Sequence, residues 1–310
     1  MILKRTVRAA DGRRLSTQVY GDPEGKPVFL LHGTPGSRLG PHPRSAVLHR
    51  LGVRLISFDR PGYGESDRME GRQVADVAAD VRAIADAYGL RKFAVVGRSG
   101  GGPHALACAA LLPERITRGA VLVGLAPRGA DGLDWFDGMA QSNVLEFTAA
   151  SNGYEGIAAH TMPVADAIRA DPASLIARLQ ADLPDPDKRV VADRGIRSML
   201  IKSHAEAMRT SAYGWIDDAL AFCSPWGFDP AAVNVPVLLW HGANDVYSPA
   251  SHARWLAGRI PGATVIVQAG AAHFGALDVL PDILRWLSAG RPAHDRLLSS
   301  LRSAGAPDRG

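Results

Sequence analysis

The chain has 310 residues, 46% of them apolar and 21% charged, with a formal charge of +4 at pH 7. That length and balance fit one large α/β domain with an insertion and exclude a disordered or fibrous chain. The basic excess is almost all Arg and is scattered, with no Lys/Arg run interleaved with aromatics, so a nucleic-acid surface is not the reading.

In chain order, Met1-Ile2-Leu3-Lys4-Arg5 has no apolar stretch behind its charges, unlike a secretory leader. No apolar run reaches the ~18 residues of a membrane span. The expectation is therefore a cytoplasmic protein without a membrane span. Residues 3–8 and 14–20 read as two strands turning through Asp11-Gly12. Residues 28–31 form an apolar run ending at His32-Gly33, and 53–58 a second ending at Asp59. Both read as buried strands. Over 72–88 the apolar positions Val74, Val77, Val81, Ile84 and Tyr88 fall at steps of three and four, which predicts a helix closed by Gly89. A third strand over 93–96 runs into Gly97-Arg98-Ser99-Gly100-Gly101. An Ala/Leu-rich helix follows over 101–112, then a strand over 117–123.

From residue 126 the rhythm breaks. Helix-like pieces at 164–170, 173–181 and 199–209 are readable there, and strand alternation is not. After Pro236 it returns, with a strand at 237–240, a helix at 249–258, a strand at 264–267 and a helix at 274–288. Buried strands alternating with helices predict an α/β fold, a mostly parallel sheet with helices on both faces. The expected organisation is a core of 1–125 and 230–290, a helical cap at 126–229 and a loosely ordered tail at 291–310. Cys108 and Cys223 read as free thiols, and no Cys/His cluster marks a metal site.

The chemistry centres on Ser99. Gly-x-Ser-x-Gly between a buried strand and a helix places a serine hydroxyl on a sharp turn at a helix N-terminus, where developing negative charge is favoured. Such a serine needs a base, and the base an orienting carboxylate, in the chain order Ser, Asp, His. Asp245 follows the strand at 237–240, and His273 follows the strand at 264–267. Both lie where loops at the C-terminal edge of an open sheet converge. Among the other histidines, His32 and His241 end strands and read as structural. His252 reads as exposed on its helix, and His104, one turn past Ser99, as a pocket residue. Asp131, Asp134, Asp217 and Asp218 are the rivals of Asp245, and Asp59 reads as a tie within its own loop. An oxyanion hole needs two N–H groups. Gly100 supplies one. Pro35 cannot donate, so Thr34 is the candidate for the other.

On these stretches the sequence resembles the α/β-hydrolase superfamily over nearly its whole length. The stretches are Leu31-His32-Gly33-Thr34-Pro35-Gly36, Asp59-Arg60-Pro61-Gly62-Tyr63-Gly64-Glu65-Ser66-Asp67, the Ser99 motif, Trp240-His241-Gly242-Ala243-Asn244-Asp245 and Ala272-His273. The resemblance implies an eight-stranded fold and a cap between the sixth and seventh strands. It further implies a cofactor-free, metal-free triad of Ser99, Asp245 and His273 acting on a small-molecule acyl substrate. An ester or lactone is the first expectation. The first two stretches are also similar to the proline iminopeptidase branch, which would make an amide the second; there Asp217 and Asp218 are candidates to bind a substrate amine, or equally structural carboxylates, since their stretch resembles a cap-to-core junction of this group of hydrolases. That branch has Gly-Gly-Ser-Trp-Gly at the turn, whereas Arg98 and Gly100 flank the serine here. A receptor-like member with little turnover is the alternative from another class. Trp135, Phe136, Met139, Phe147, Trp215, Phe222 and Trp226 are candidates to line an apolar acyl pocket.

Overall fold

The computed structural model describes residues 3–289. Eight strands form one sheet: β1 (Leu3–Arg8), β2 (Arg14–Gly21), β3 (Lys26–Leu31), β4 (Val53–Phe58), β5 (Phe93–Arg98), β6 (Ile116–Leu122), β7 (Val237–Gly242) and β8 (Thr264–Gln268). Their spatial order is β1-β2-β4-β3-β5-β6-β7-β8. The β1–β2 and β2–β4 pairs are antiparallel, and every pair from β4 to β8 is parallel. The predicted α/β sheet is therefore present, with its strands where the apolar runs placed them. The predicted tail at 291–310 lies outside the described residues.

Two apolar layers explain why the central strands read as unbroken apolar runs. On β3, Phe29 and Leu31 face one core with Val81 and Ile84 of α2 (Val77–Ala87), Leu106 of α3 (Gly101–Leu111) and Leu256 of α10 (Ala250–Arg259). Val28 and Leu30 face the other, with Leu48 of α1 (Ser45–Arg50) and Leu280, Ile283 and Leu284 of α11 (Gly275–Ser288). Side chains alternate across a strand, so a strand covered on both faces must be apolar at every position. Each large aliphatic side chain buried this way contributes about 1.5–3 kcal/mol. Those on α11 anchor the loop that carries His273.

Between β6 and β7 lie six helices: α4 (Gln141–Ser151), α5 (Gly153–Ala170), α6 (Ser174–Asp182), α7 (Asp185–Ala192), α8 (Arg194–Ala207) and α9 (Tyr213–Cys223). They share a third apolar cluster that includes Ile157, Leu200 and Ile216. Three of the six were readable as periodic segments. The helix predicted from 164 begins at Gly153, because Pro163 sits inside it rather than starting it. The helices α4, α7 and α9 were not read. α7 is eight residues long and begins at Asp185-Pro186, and each packs its apolar side chains against more than one neighbour, which blurs a single stripe.

Candidate active site

Ser99 follows β5 directly, and its φ is +54°, the left-handed region that side chains other than glycine rarely adopt. The surroundings hold it there. Its N–H donates to Leu122 O (2.8 Å), and its carbonyl accepts from Gly102 N (2.8 Å). A Cβ at Gly97 would lie 2.0 Å from Gly101 O, and one at Gly101 2.2 Å from Leu31 O. The turn closes only because neither residue has a side chain.

The loop after β3 packs against this turn. A Cβ at Gly100 would meet Thr34 Oγ1 at 2.2 Å, and one at Gly33 would lie 3.4 Å from Ser99 Cβ. Thr34 and Gly100, the two residues expected to carry N–H donors, are thus in contact. Neither N–H is hydrogen-bonded to another described residue.

Asp245 and His273 meet on the loops after β7 and β8. His273 Nδ1 donates to Asp245 Oδ2 at 2.9 Å, with Oδ1 at 3.1 Å. This assigns the proton to Nδ1 and leaves the Nε2 lone pair free to accept one. Asp245 also accepts from Tyr247 N (2.9 Å) and Ser248 N (3.1 Å), with Ser248 Oγ 3.3 Å and His241 Nε2 3.2 Å away. Burial alone would raise the Asp245 pKa, but His273 and His241 hold it well below the ordinary carboxylate value. Ser248 Oγ donates to Val123 O, next to the Leu122 carbonyl that holds Ser99. The two halves of the site are therefore tied through the end of β6. Ser99 Oγ itself makes no hydrogen bond to His273 among the described residues.

Two carboxylates from the β6–β7 helices complete the frame: Asp187, which the sequence does not single out, and Asp218, one of the two read as either amine-binding or structural. Asp187 on α7 accepts from the N–H groups of His273 and Phe274. Asp218 on α9 is fully buried and accepts from Thr34 Oγ1, Tyr63 OH, Arg60 and Arg72. Burial would raise its pKa, but the two guanidiniums hold it well below the usual range. Its neighbour Asp217 pairs with Arg68 at 2.8 Å. Both candidates for an amine-binding carboxylate are therefore already engaged by arginine.

The remaining expectations divide. His32 and His241 are buried structural groups, as read. His252 is not exposed: it is fully buried, with Nδ1 accepting from Ala126 N and Nε2 against Trp135 O. Its helix faces the sheet on the histidine side, which a short run with polar neighbours did not reveal. His104 is buried 3.7 Å from Asp218, and burial pushes its pKa down to about 3. Trp135, Phe147 and Trp226 pack into the apolar core, with Phe136 and Met139 against it, and Trp215 lies in the cluster of the β6–β7 helices. Phe222 does reach the site, 3.1 Å from the Cβ position of Gly100. A cleft of about 600 Å³ runs between Pro186–Ile196 and α11, and none of Ser99, Asp245 or His273 lines it. Ala271, Ala272 and Gly275, which flank His273 in sequence, border it.

A family model described as "alpha/beta hydrolase fold" matches residues 26–278. A proline iminopeptidase from Xylella fastidiosa (strain 9a5c) is 35% identical over 130 residues, 41% of this chain and 41% of the relative. A non-heme chloroperoxidase from Streptomyces lividans is 36% identical over 124 residues, 39% of this chain and 45% of the relative. The matched segments thus span less than half the length of these curated relatives. An esterase from Rhodococcus sp. ECU1013 superposes with a TM-score of 0.62 at 22% identity, covering 96% of this chain and 99% of that one. That likeness is one of fold. Among the described residues, no helix is long and apolar enough to cross a membrane.

Proposed function

This chain belongs to the α/β-hydrolase fold family, and from that premise we propose that it is a serine hydrolase cleaving a carboxylic ester or lactone through an acyl-enzyme at Ser99. The observation that carries the reading is the 2.9 Å bond from His273 Nδ1 to Asp245. It orients an imidazole whose Nε2 is free to take a proton, on the sheet edge that also carries the left-handed Ser99 turn.

The chemistry follows from those groups. Ser99 Oγ attacks the acyl carbonyl as its proton passes to His273 Nε2, and the imidazolium is stabilised by Asp245. The Thr34 and Gly100 N–H groups hold the oxyanion. The intermediate collapses, and the leaving alcohol or lactone oxygen takes the proton from His273. Water, deprotonated by His273, then attacks the acyl-enzyme, and the carboxylic acid leaves as Ser99 regains its proton. The helices between β6 and β7 act as the cap over this edge.

An amide substrate recognised by a free amine is the weaker reading. The two carboxylates expected to bind that amine, Asp217 and Asp218, are both held by arginines. The test is hydrolysis of p-nitrophenyl butyrate and labelling by a fluorophosphonate. Ser99→Ala is expected to abolish both. A variant that still labels at one serine would show that the nucleophile lies elsewhere. Release of naphthylamine from proline naphthylamide at a rate above ester hydrolysis would reverse the order of substrates. Saturable stabilisation by esters with no product would favour a receptor-like protein.

A further inference from the structure

The Thr34 N–H is half of a peptide unit whose other half is the Gly33 carbonyl. A trans peptide is planar, so fixing that carbonyl fixes the direction of the N–H, which points the opposite way. The Gly33 carbonyl is fixed twice. His32 Nδ1 donates to it at 2.8 Å, and Arg60 Nη2 at 3.2 Å. The His32 assignment is consistent, because His32 Nε2 accepts from Arg60 N at 3.2 Å and burial keeps the ring neutral. Arg60 also donates to the His32 carbonyl and, at 3.0 Å, to Thr34 Oγ1.

Arg60 is itself held by a residue far away in sequence. Its Nε and Nη2 both donate to Asp218, which lies on α9. Asp218 Oδ2 also accepts directly from Thr34 Oγ1 at 2.5 Å. Tyr63 OH (2.8 Å) and Arg72 Nη2 (2.7 Å) complete its contacts, and Arg72 also donates to Gly214 O at the start of α9. Trp215, Asp218 and Phe222 occur at i, i+3 and i+7, one face of the helix. Phe222 on that face closes on Gly100, the other proposed donor.

We infer that Asp218 is a positioning residue for the oxyanion hole, and that the Thr34 N–H is aimed correctly only while α9 is seated on the sheet edge. The inference rests on the reading of Thr34 and Gly100 as the oxyanion donors. Asp218 does not touch the substrate. It acts on the donor through Thr34 Oγ1 and through the grip of Arg60 on the Gly33 carbonyl. Seating of the cap and competence of the hole thereby become one event.

The experiment compares the wild type with Asp218→Asn, Thr34→Val and Thr34→Ser on p-nitrophenyl butyrate, together with fluorophosphonate labelling of Ser99 and urea unfolding. Thr34→Val keeps the backbone N–H and removes only the hydroxyl that reaches Asp218. It is expected to lower kcat about 10- to 100-fold, short of the loss of a whole donor, with KM within about threefold. Thr34→Ser restores the hydroxyl and is expected to restore kcat. Asp218→Asn is expected to lower kcat and the labelling rate together. If it does not fold, the Thr34 pair decides the matter. Wild-type kcat in folded Thr34→Val, or a loss that Thr34→Ser does not reverse, overturns the inference. Absence of labelling at Ser99 in the wild type overturns the active-site reading itself, and the inference with it.

Discussion

Asp187 holds His273 by its backbone rather than by its ring: its two carboxylate oxygens accept from His273 N at 3.1 Å and from Phe274 N at 2.7 Å. Asp245 orients the imidazole, and Asp187 orients the peptide from which the imidazole hangs. One carboxylate comes from the loop after β7, the other from α7. Removing the second should leave the base present but poorly placed. Asp187→Ala is expected to lower kcat about tenfold, with KM nearly unchanged. It should also cost about 1–3 kcal/mol of stability, because two buried N–H groups lose their acceptors. Steady-state kinetics beside urea unfolding checks both. Unchanged kcat in a folded variant would remove Asp187 from the catalytic frame.

The Ser99 turn makes a steric prediction. A Cβ at Gly97 would stand 2.0 Å from Gly101 O, a backbone atom that cannot swing aside. Gly97→Ala is expected to cost about 2–4 kcal/mol, as overpacking at a rigid site does, and to lose most ester hydrolysis with it. Gly258→Ala is the control, because nothing lies within 4 Å of its Cβ position. Equal urea midpoints for the two variants would contradict the packing described for the turn.

Glu146 on α4 provides a pH-dependent test. Its contact is the Trp215 indole N–H at 2.8 Å, and no cation pairs with it among the described residues. Burial, with Asp218 nearby, raises its pKa from 4.5 to about 7 against the pull of that N–H. The folded state therefore holds the proton more tightly than the unfolded chain. The resulting stability is fully present below about pH 4.5 and is lost as pH rises through about 7. After discounting for its partial accessibility, the loss is about 1–2 kcal/mol. Glu146→Gln should flatten that part of the profile and be the more stable protein at pH 8. Parallel pH–stability curves for the two proteins would show that Glu146 titrates as an ordinary carboxylate.

Arg98, beside Ser99, is buried, and its guanidinium makes neither a hydrogen bond nor an ion pair among the described residues. Burial lowers its pKa to about 10. A buried charge without a partner opposes folding, so an apolar side chain of similar length should be tolerated. Arg98→Met is expected to leave stability unchanged or raise it by about 1 kcal/mol. A loss above about 2 kcal/mol in urea unfolding would mean that the guanidinium has a stabilising partner in solution.

The central strands, the Ser99 turn and the order of Asp245 and His273 were legible because each depends on local sequence. An apolar run between turn residues reads as a buried strand, and a glycine two positions either side of a serine reads as a tight corner. His252 was misread because its burial depends on Trp135 and Ala126, more than a hundred positions away. The partners of Asp187 and Asp218 were invisible for the same reason: they lie 86 and 184 positions off, at His273 and Thr34.

By itself, the sequence determined the α/β class, the strand order along the chain and the three residues proposed for acyl transfer. Those follow from periodicity and from motifs a few residues wide, whose physics is local. Only the tertiary structure decided what the β6–β7 helices do to the site. It gave Asp218 to Arg60, Arg72 and Thr34, and Asp187 to the His273 backbone. The physical reason is that a buried carboxylate must find its donors wherever the fold places them, and no spacing along the chain records which donors those will be.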